Sequence, residues 1–394
     1  MNGRGPPRRF GRGAASPRAE LSRQPPLSSG KAKVWRAILR CRTAALGGHV
    51  ETCDACGTTR HVYHSCRNRH CPQCQTRAKE AWLARRRREL LPVPYFHLVF
   101  TLSHDLNGLI GMAPRAIYET LFGAVSATLT EFAANPRWLG GTPAFSLVLH
   151  TWKQDLGRHV HVHALVAGGA LSDAGVWIRP KTGFLFPVRA LSKVFRGKFV
   201  AGLEGLRISG RWPESVKTNV DWPCLKHALH AHDWVVYAKQ PLGGPEAVLD
   251  YLGRYTHRVA ISNERIVGID GNDVLFRVRA DRSTGKKRTI HLPGTEFIGR
   301  FLHHVLPPGF KRIRHYGLLS PARKKNGLAA ARAALGVPPP HPEVIESVDE
   351  FLRRVARIEP AHCPHCGIGQ FRVSGVLLRE PGRPADLPSP RGPP

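Results

Sequence analysis

Apolar and polar positions follow two periods along this chain, and the switch between them marks out its elements. TRAKEAWLARRRRELL reads as a helix in which Ala81, Leu83 and Leu90 are available for packing and Arg85 to Arg88 form a run, ended by Pro92 and Pro94. Tyr95 to Ser103 (YFHLVFTLS) is a strongly apolar strand, and helical spacing runs from about Leu106 to Ala134 with an interruption near Pro114. TPAFSLVLHTW (142–152) and HVHVHALVAGG (159–169) predict two strands, and the short KQDLGR segment between them predicts an antiparallel hairpin. Further on come a helix at Leu191 to Leu206, a strand at Trp234 to Lys239 and a helix at 245–256. VGIDGNDVLFRVRADRSTGKKRTIHL then reads as strand, Asp-Gly-Asn turn, strand, basic turn, strand, before a helix near 295–305 and the basic KRIRHYG segment. Hairpins mixed with helices favour an α+β fold with a mainly antiparallel sheet over a doubly wound one.

The two ends read differently. Residues 1–30, rich in Arg, Pro, Gly and Ser, have little to bury and are expected to form a disordered basic arm. Residues 31–91 turn to cysteine, histidine and arginine. The main α+β domain spans 92–325. An Ala-rich helix, a Pro-rich hinge at 338–342, a short helix, a CPHCG turn and a disordered Pro-rich tail occupy 326–394.

Charge narrows the partner. Lys and Arg number 59 against 28 Asp and Glu in 394 residues, a formal net charge of +31, of the sign that attracts polyanions. Residues 1–90 alone hold 20 Lys and Arg against 5 Asp and Glu, so this part is expected to touch phosphates. No apolar run of about 18 residues is present, which excludes a helical membrane span, and the N-terminus lacks the apolar stretch of a secretory signal. The expected location is the cytoplasm, where thiols stay reduced. Nine cysteines, six of them between Cys41 and Cys74, then point to metal and not to disulfides.

Four constellations could carry chemistry. Cys53 and Cys56, then Cys71 and Cys74, form two C-x2-C knuckles, whose tight turns present four thiolates as structural zinc requires. Cys41, Cys66, His49, His64 and His70 lie close in sequence, so the ligand set stays open and leaves room for a second ion. Cys363 and Cys366 form a lone knuckle that would need His362, His365 or another part of the fold to complete four ligands. In HVHVH, period 2 sends His159, His161 and His163 to one face of a strand while Val160 and Val162 face the core, and three imidazoles together suit a divalent metal. The alternative is a row of singly hydrogen-bonded surface histidines. Tyr251 and Tyr255, four apart in VLDYLGRYTHRVAIS, share one side of a helix amid Arg254, His257 and Arg258. Such a pair is commonly packing, but these cationic surroundings suit a phosphate. Trp152, Trp177 and Trp234 read as core residues first and as base-stacking platforms second.

Taken together, the SCRNRHCPQCQ zinc segment, HVHVHALVAGGAL after W-K-x-D-L, WVVYAKQPLGG, YLGRYTHRVAIS, EFIGRFLHHVLP and RHYG resemble the two-tyrosine HUH-superfamily transposases of the insertion-sequence ninety-one type. The resemblance runs from about Cys41 to Ser320; valine stands where proline is frequent between the first two histidines. It implies an HUH endonuclease core with an N-terminal zinc-binding domain. It further implies Mg²⁺ or Mn²⁺ on His161 and His163, and Tyr251 and Tyr255 as nucleophiles that form 5′-phosphotyrosine links with single-stranded element ends in rolling-circle transposition. The third metal ligand stays open among His159, Gln154, Asp155 and residues elsewhere. Two other functions compete: a non-catalytic zinc-dependent nucleic-acid-binding protein, and a hydrolase or transposase built on a carboxylate triad, for which no acidic cluster exists in the central domain.

Overall fold

The computed structural model describes residues 27–74, 76–181, 185–239, 249, 253, 260–279, 287–340, 346–347, 350, 353–354 and 362–380. Most of the expected basic arm, the tail from 381 onward, most of the expected 245–256 helix, and both Tyr251 and Tyr255 lie outside these residues. The N-terminal region begins with helix α1 (Ser29–Leu39), strands β1 (Gly48–Cys53) and β2 (Thr59–Tyr63), and helix α2 (Thr76–Glu89). Next come β3 (Tyr95–Thr101), α3 (Asn107–Met112), α4 (Pro114–Ala134), β4 (Thr142–Trp152), β5 (Arg158–Leu171) and β6 (Trp177–Ile178). Helices α5 (Val188–Ile208), α6 (Glu214–Asn219) and α7 (Trp222–Ala231) lead to β7 (Val236–Lys239). After it come β8 (Ile266–Asp270), β9 (Asp273–Arg279), β10 (Lys287–Pro293), α8 (Gly294–His303), β11 (Ile313–Gly317), α9 (Lys324–Ala334) and β12 (Phe371–Leu377).

The fold is α+β, and its central sheet runs β11-β4-β5-β3-β7 with β6 added beside β5, every pairing antiparallel. Its two faces differ as period 2 requires. Phe96, Leu98 and Phe100 of β3, Phe145 and Leu147 of β4, and Val160, Val162 and Ala164 of β5 pack under α4 and α5 in one large core. Phe100, Phe145, Phe195 and Phe199 are fully buried there, each worth roughly 1.5–3 kcal/mol in transfer free energy. The opposite face carries a smaller cluster in which Val148 and Leu165 join Leu83 of α2, Ala331 of α9 and Leu249. Leu83 packs as its spacing predicts, whereas Ala81 faces solvent. Trp177 and Trp234 are core residues, 7% and 6% exposed. A third cluster joins Phe276 and Val278 of β9 to Phe301 and Leu302 of α8, with Trp35 and Ile38 of α1 packed against it.

Several strands escape sequence reading, among them β1, β2 and β6. KRIRHYG forms β11 on the sheet edge, and Phe371–Leu377, inside the segment set apart as C-terminal, pairs antiparallel with β1 to make the three-stranded sheet β12-β1-β2. No described helix is long and apolar enough to cross a membrane.

Candidate functional site

The histidine strand behaves as alternation requires, with Val160 and Val162 in the main core and His161 and His163 on the other face. Register then brings in a residue from the neighbouring strand. His150 of β4 lies directly opposite His161, and one ligand nitrogen from each of His150, His161 and His163 falls within 4.8 Å of the others. The imidazoles of His161 and His163 meet Nε2 to Nε2 at 3.1 Å. His161 Nδ1 sits 3.0 Å from the His159 carbonyl, so it carries the proton and leaves the Nε2 lone pair for a metal. Two nitrogens on one ion at about 2.1 Å each stand about 3 Å apart when they are at right angles, so the spacing suits a divalent cation.

Burial tunes these groups. It lowers the pKa of His161 to about 4 and that of His163 well below the ordinary histidine value, so both are neutral and able to ligate at physiological pH. His97 on β3 backs the centre with Nε2 at 2.7 Å from His163 Nδ1, and Trp152 stacks on His150 at 4.8 Å between ring centroids. His159 is placed differently. Its Nδ1 lies 3.1 Å from His104 Nε2 at the outer end of the strand, so the metal-ready trio contains His150 where sequence phase alone had put His159. Of the other candidates for third ligand, Asp155 Oδ1 accepts from the Gly157 N–H inside the hairpin turn. Among the described residues, every group of three or more side chains able to hold a metal is made only of cysteine or histidine, which removes the basis for a carboxylate centre there.

The tyrosine segment is visible through two residues. Leu249 is buried with Val148 and Leu165, which flank the histidines on β4 and β5, and a Cβ on Gly253 would meet Leu83 Cδ2 at 2.8 Å. Leu249 thus packs on the histidine-bearing face of the sheet, and Gly253 lies against Leu83 of α2, a member of the same cluster. Among the described tyrosines, Tyr95 and Tyr118 are buried, with burial pushing the Tyr118 phenol up to about 12. Tyr316 stacks on Phe145 of the opposite face, while Tyr237 is exposed on the histidine side, across β3.

The cysteines are sorted in a way that corrects the expected grouping of Cys53, Cys56, Cys71 and Cys74 around one ion. Cys71 and Cys74 gather with Cys41 and Cys66, and Cys53 and Cys56 gather with Cys363 and Cys366. The reason is the β1–β2 hairpin. Cys53 ends β1 at the hairpin tip, whereas Cys66 follows β2 at its base, where the Arg42 and His64 backbones are tied by Arg42 N–H to His64 O at 3.0 Å. A six-residue strand holds tip and base about 17 Å apart, so one ion cannot serve both.

In the first cluster the Sγ atoms of Cys41 and Cys66 lie 3.3 and 3.6 Å from that of Cys74. Four thiols so close cannot all ionise unaided. A hydrogen bond from Cys71 holds Cys41 down to about 5, the same bond drives Cys71 upward, and burial first of all pushes Cys66 up to about 12. A divalent cation relieves that conflict by stabilising four thiolates at once. Two of the nearby histidines have other partners. His70 Nε2 accepts from the Leu306 N–H at 3.2 Å, and Arg69 donates to the Phe310 carbonyl at 2.5 Å, docking this loop against the main domain. His49 pairs with Glu51.

Known proteins match this chain along most of its length. A family model described as "Putative transposase" matches residues 144–326, and one described as "Transposase zinc-binding domain" matches residues 16–102. The protein named "Putative transposase y4qJ" from Sinorhizobium fredii is 43% identical over 354 residues, 88% of this chain and 89% of its own length. "Transposase for insertion sequence element IS801" from Pseudomonas savastanoi pv. phaseolicola is 26% identical over 351 residues, 87% of this chain and 84% of its own. No solved structure matches.

Proposed function

The chain belongs to the family of transposases that carry an N-terminal zinc-binding domain of the IS91 type, and on that premise we propose that it nicks and rejoins single-stranded DNA through tyrosine–DNA links. Family membership makes DNA its partner, in agreement with the net charge of +31. The observation that carries the finer reading is the convergence of His150, His161 and His163 on one face of the central sheet, the face on which Leu249 packs.

His150, His161 and His163 would hold a divalent cation, which would supply Lewis acidity to a scissile phosphate. The residues do the rest. His161 and His163 offer neutral nitrogens because burial disfavours their protonated forms, and the His159 carbonyl and His97 hold the two rings in place. The hydroxyl of Tyr251 or Tyr255 attacks phosphorus, a tyrosyl O–P bond replaces the bond to the 3′ oxygen, and the phenolic proton is exchanged for one on the freed 3′-OH. Because the 5′-phosphotyrosine keeps the phosphodiester energy, a DNA 3′-OH can reverse the step on a new end. The second tyrosine provides a second link, as moving an element requires.

Single-stranded ends are the expected substrate, since an unpaired strand can bend to bring a phosphate down to the sheet face and present bases for stacking. Cleavage of a labelled single-stranded end should outpace cleavage of the same sequence fully paired, and binding should weaken steeply with salt through its phosphate contacts. A paired end cut at least as fast would overturn the preference. Binding without cleavage of any single-stranded end in Mg²⁺ or Mn²⁺ would favour a non-catalytic DNA-binding role.

A further inference from the structure

We infer that Cys53, Cys56, Cys363 and Cys366 form a second structural zinc site, a clasp that fastens the C-terminal segment onto the N-terminal zinc-binding region. The matched family segments, 16–102 and 144–326, both stop short of the second cysteine pair. Yet all four Sγ atoms lie within 4.8 Å of one another, with Cys53–Cys366 and Cys56–Cys363 each at 3.8 Å. That spacing is the edge of a tetrahedron with zinc–sulfur bonds of about 2.3 Å, which is about 3.8 Å long.

The two halves are built alike. Each reads C-x2-C-G, and Gly57 and Gly367 take φ of +70° and +73°, a left-handed turn that glycine adopts without strain. Gly57 N–H donates to Cys53 O and Gly367 N–H to Cys363 O, so both loops turn their two thiols inward in the same way. Backbone and side chains then lock one loop to the other. Asp54 N–H donates to Gln370 O at 3.0 Å, and Gln370 N–H donates to Asp54 Oδ1 at 2.7 Å. Gly369 passes so close to Cys53 Sγ and Ala55 that a side chain there would collide with both.

Hydrophobic burial does not hold this sheet together. Val373, Val376 and Leu378 on and after β12 are 66%, 77% and 82% exposed, while Cys53 and Cys363 are buried. A small sheet whose most buried side chains are thiols draws its stability from metal. Separation in sequence is a small obstacle, since the entropy of closing a loop grows only with the logarithm of its length. The clasp would therefore tie the segment beyond α9 to the zinc-binding region that lies before the transposase core. This inference stands apart from the strand-transfer reading, because its test reads zinc and thiols and not DNA cleavage.

The test uses the full chain, purified under reducing conditions. Wild-type protein should carry two zinc ions per chain by elemental analysis. The double substitution Cys363→Ser with Cys366→Ser should carry one, as should Cys71→Ser with Cys74→Ser. Alkylation mapped by mass spectrometry should find Cys53 and Cys56 protected in the wild type. In the Cys363→Ser/Cys366→Ser protein they should react as fast as the exposed Cys224, while Cys41, Cys66, Cys71 and Cys74 stay protected. One zinc in the wild type, or continued protection of Cys53 and Cys56 in that variant, overturns the site. Should the variant fail to fold, a chelator titration of the wild type decides. Cys53, Cys56, Cys363 and Cys366 becoming reactive as one group supports the clasp, whereas Cys53 and Cys56 opening in step with Cys71 and Cys74 refutes it.

Discussion

Replacing both Tyr251 and Tyr255 by phenylalanine is expected to abolish every covalent protein–DNA species while leaving the fold intact. Phenylalanine keeps the ring and its packing volume, so only the hydroxyl is lost, and the thermal midpoint should shift little. Each single variant should still form an adduct, because the other phenol, four residues away in the sequence, remains as a nucleophile. Each should nevertheless fail at complete transposition, which needs one link for each of two strand transfers. A labelled fragment on the 3′ side of the nick, run on a denaturing gel, reads the result, since its 5′ phosphate carries the protein. If the adduct persists at wild-type level in the double variant, the nucleophile lies elsewhere. Tyr237, exposed on the same sheet face across β3 from His163, is then the next residue to change.

How far the sequence disclosed this arrangement depends on whether a feature is local. The face assignment in HVHVH needs only period 2, and the structure buries Val160 and Val162 accordingly. The hairpin of β4 and β5 follows from two apolar strands and a short polar connection, and the 266–293 meander from its turn residues. Partners set by long-range pairing were hidden. Phe371–Leu377 is a strand because β1, more than 300 residues earlier, offers it a ladder, and nothing local to so short a segment identifies that partner. The cysteine grouping failed for a related reason. Fourteen residues between two knuckles is a spacing zinc domains use, but here β2, the return strand of the hairpin, fills the gap and carries the second knuckle away from the first.

His150 is the instructive case. Near the turn Trp152 pairs with Arg158, and an unbroken ladder from there would set His150 opposite Val160, on the core side. The ladder instead runs unbroken from Phe145 opposite Val166 to His150 opposite His161, and the register shifts by one residue only beyond His150, so the imidazole stays on the metal-ready face. No simple pattern of apolar residues announces such a bulge.

That register shift makes the sharpest test of the centre. His161→Ala and His163→Ala should each slow single-turnover cleavage by about 10³-fold or more, since a bound cation is worth several kcal/mol and each 1.36 kcal/mol is tenfold in rate. His150→Ala should fall in the same range, whereas His159→Ala, whose ring meets His104 outside the trio, should cost no more than about tenfold. His150 is only 2% exposed, so its truncation also opens a cavity, and rate alone would not separate a ligand from a packing residue. The Mn²⁺ concentration for half-maximal cleavage makes that separation. Loss of a ligand raises it strongly and is partly overcome by more metal, while a packing defect lowers the melting temperature and leaves the metal dependence where it was. If His159→Ala raises the metal requirement and His150→Ala does not, the ion sits at the outer end of β5 and the trio read from the register is not its site.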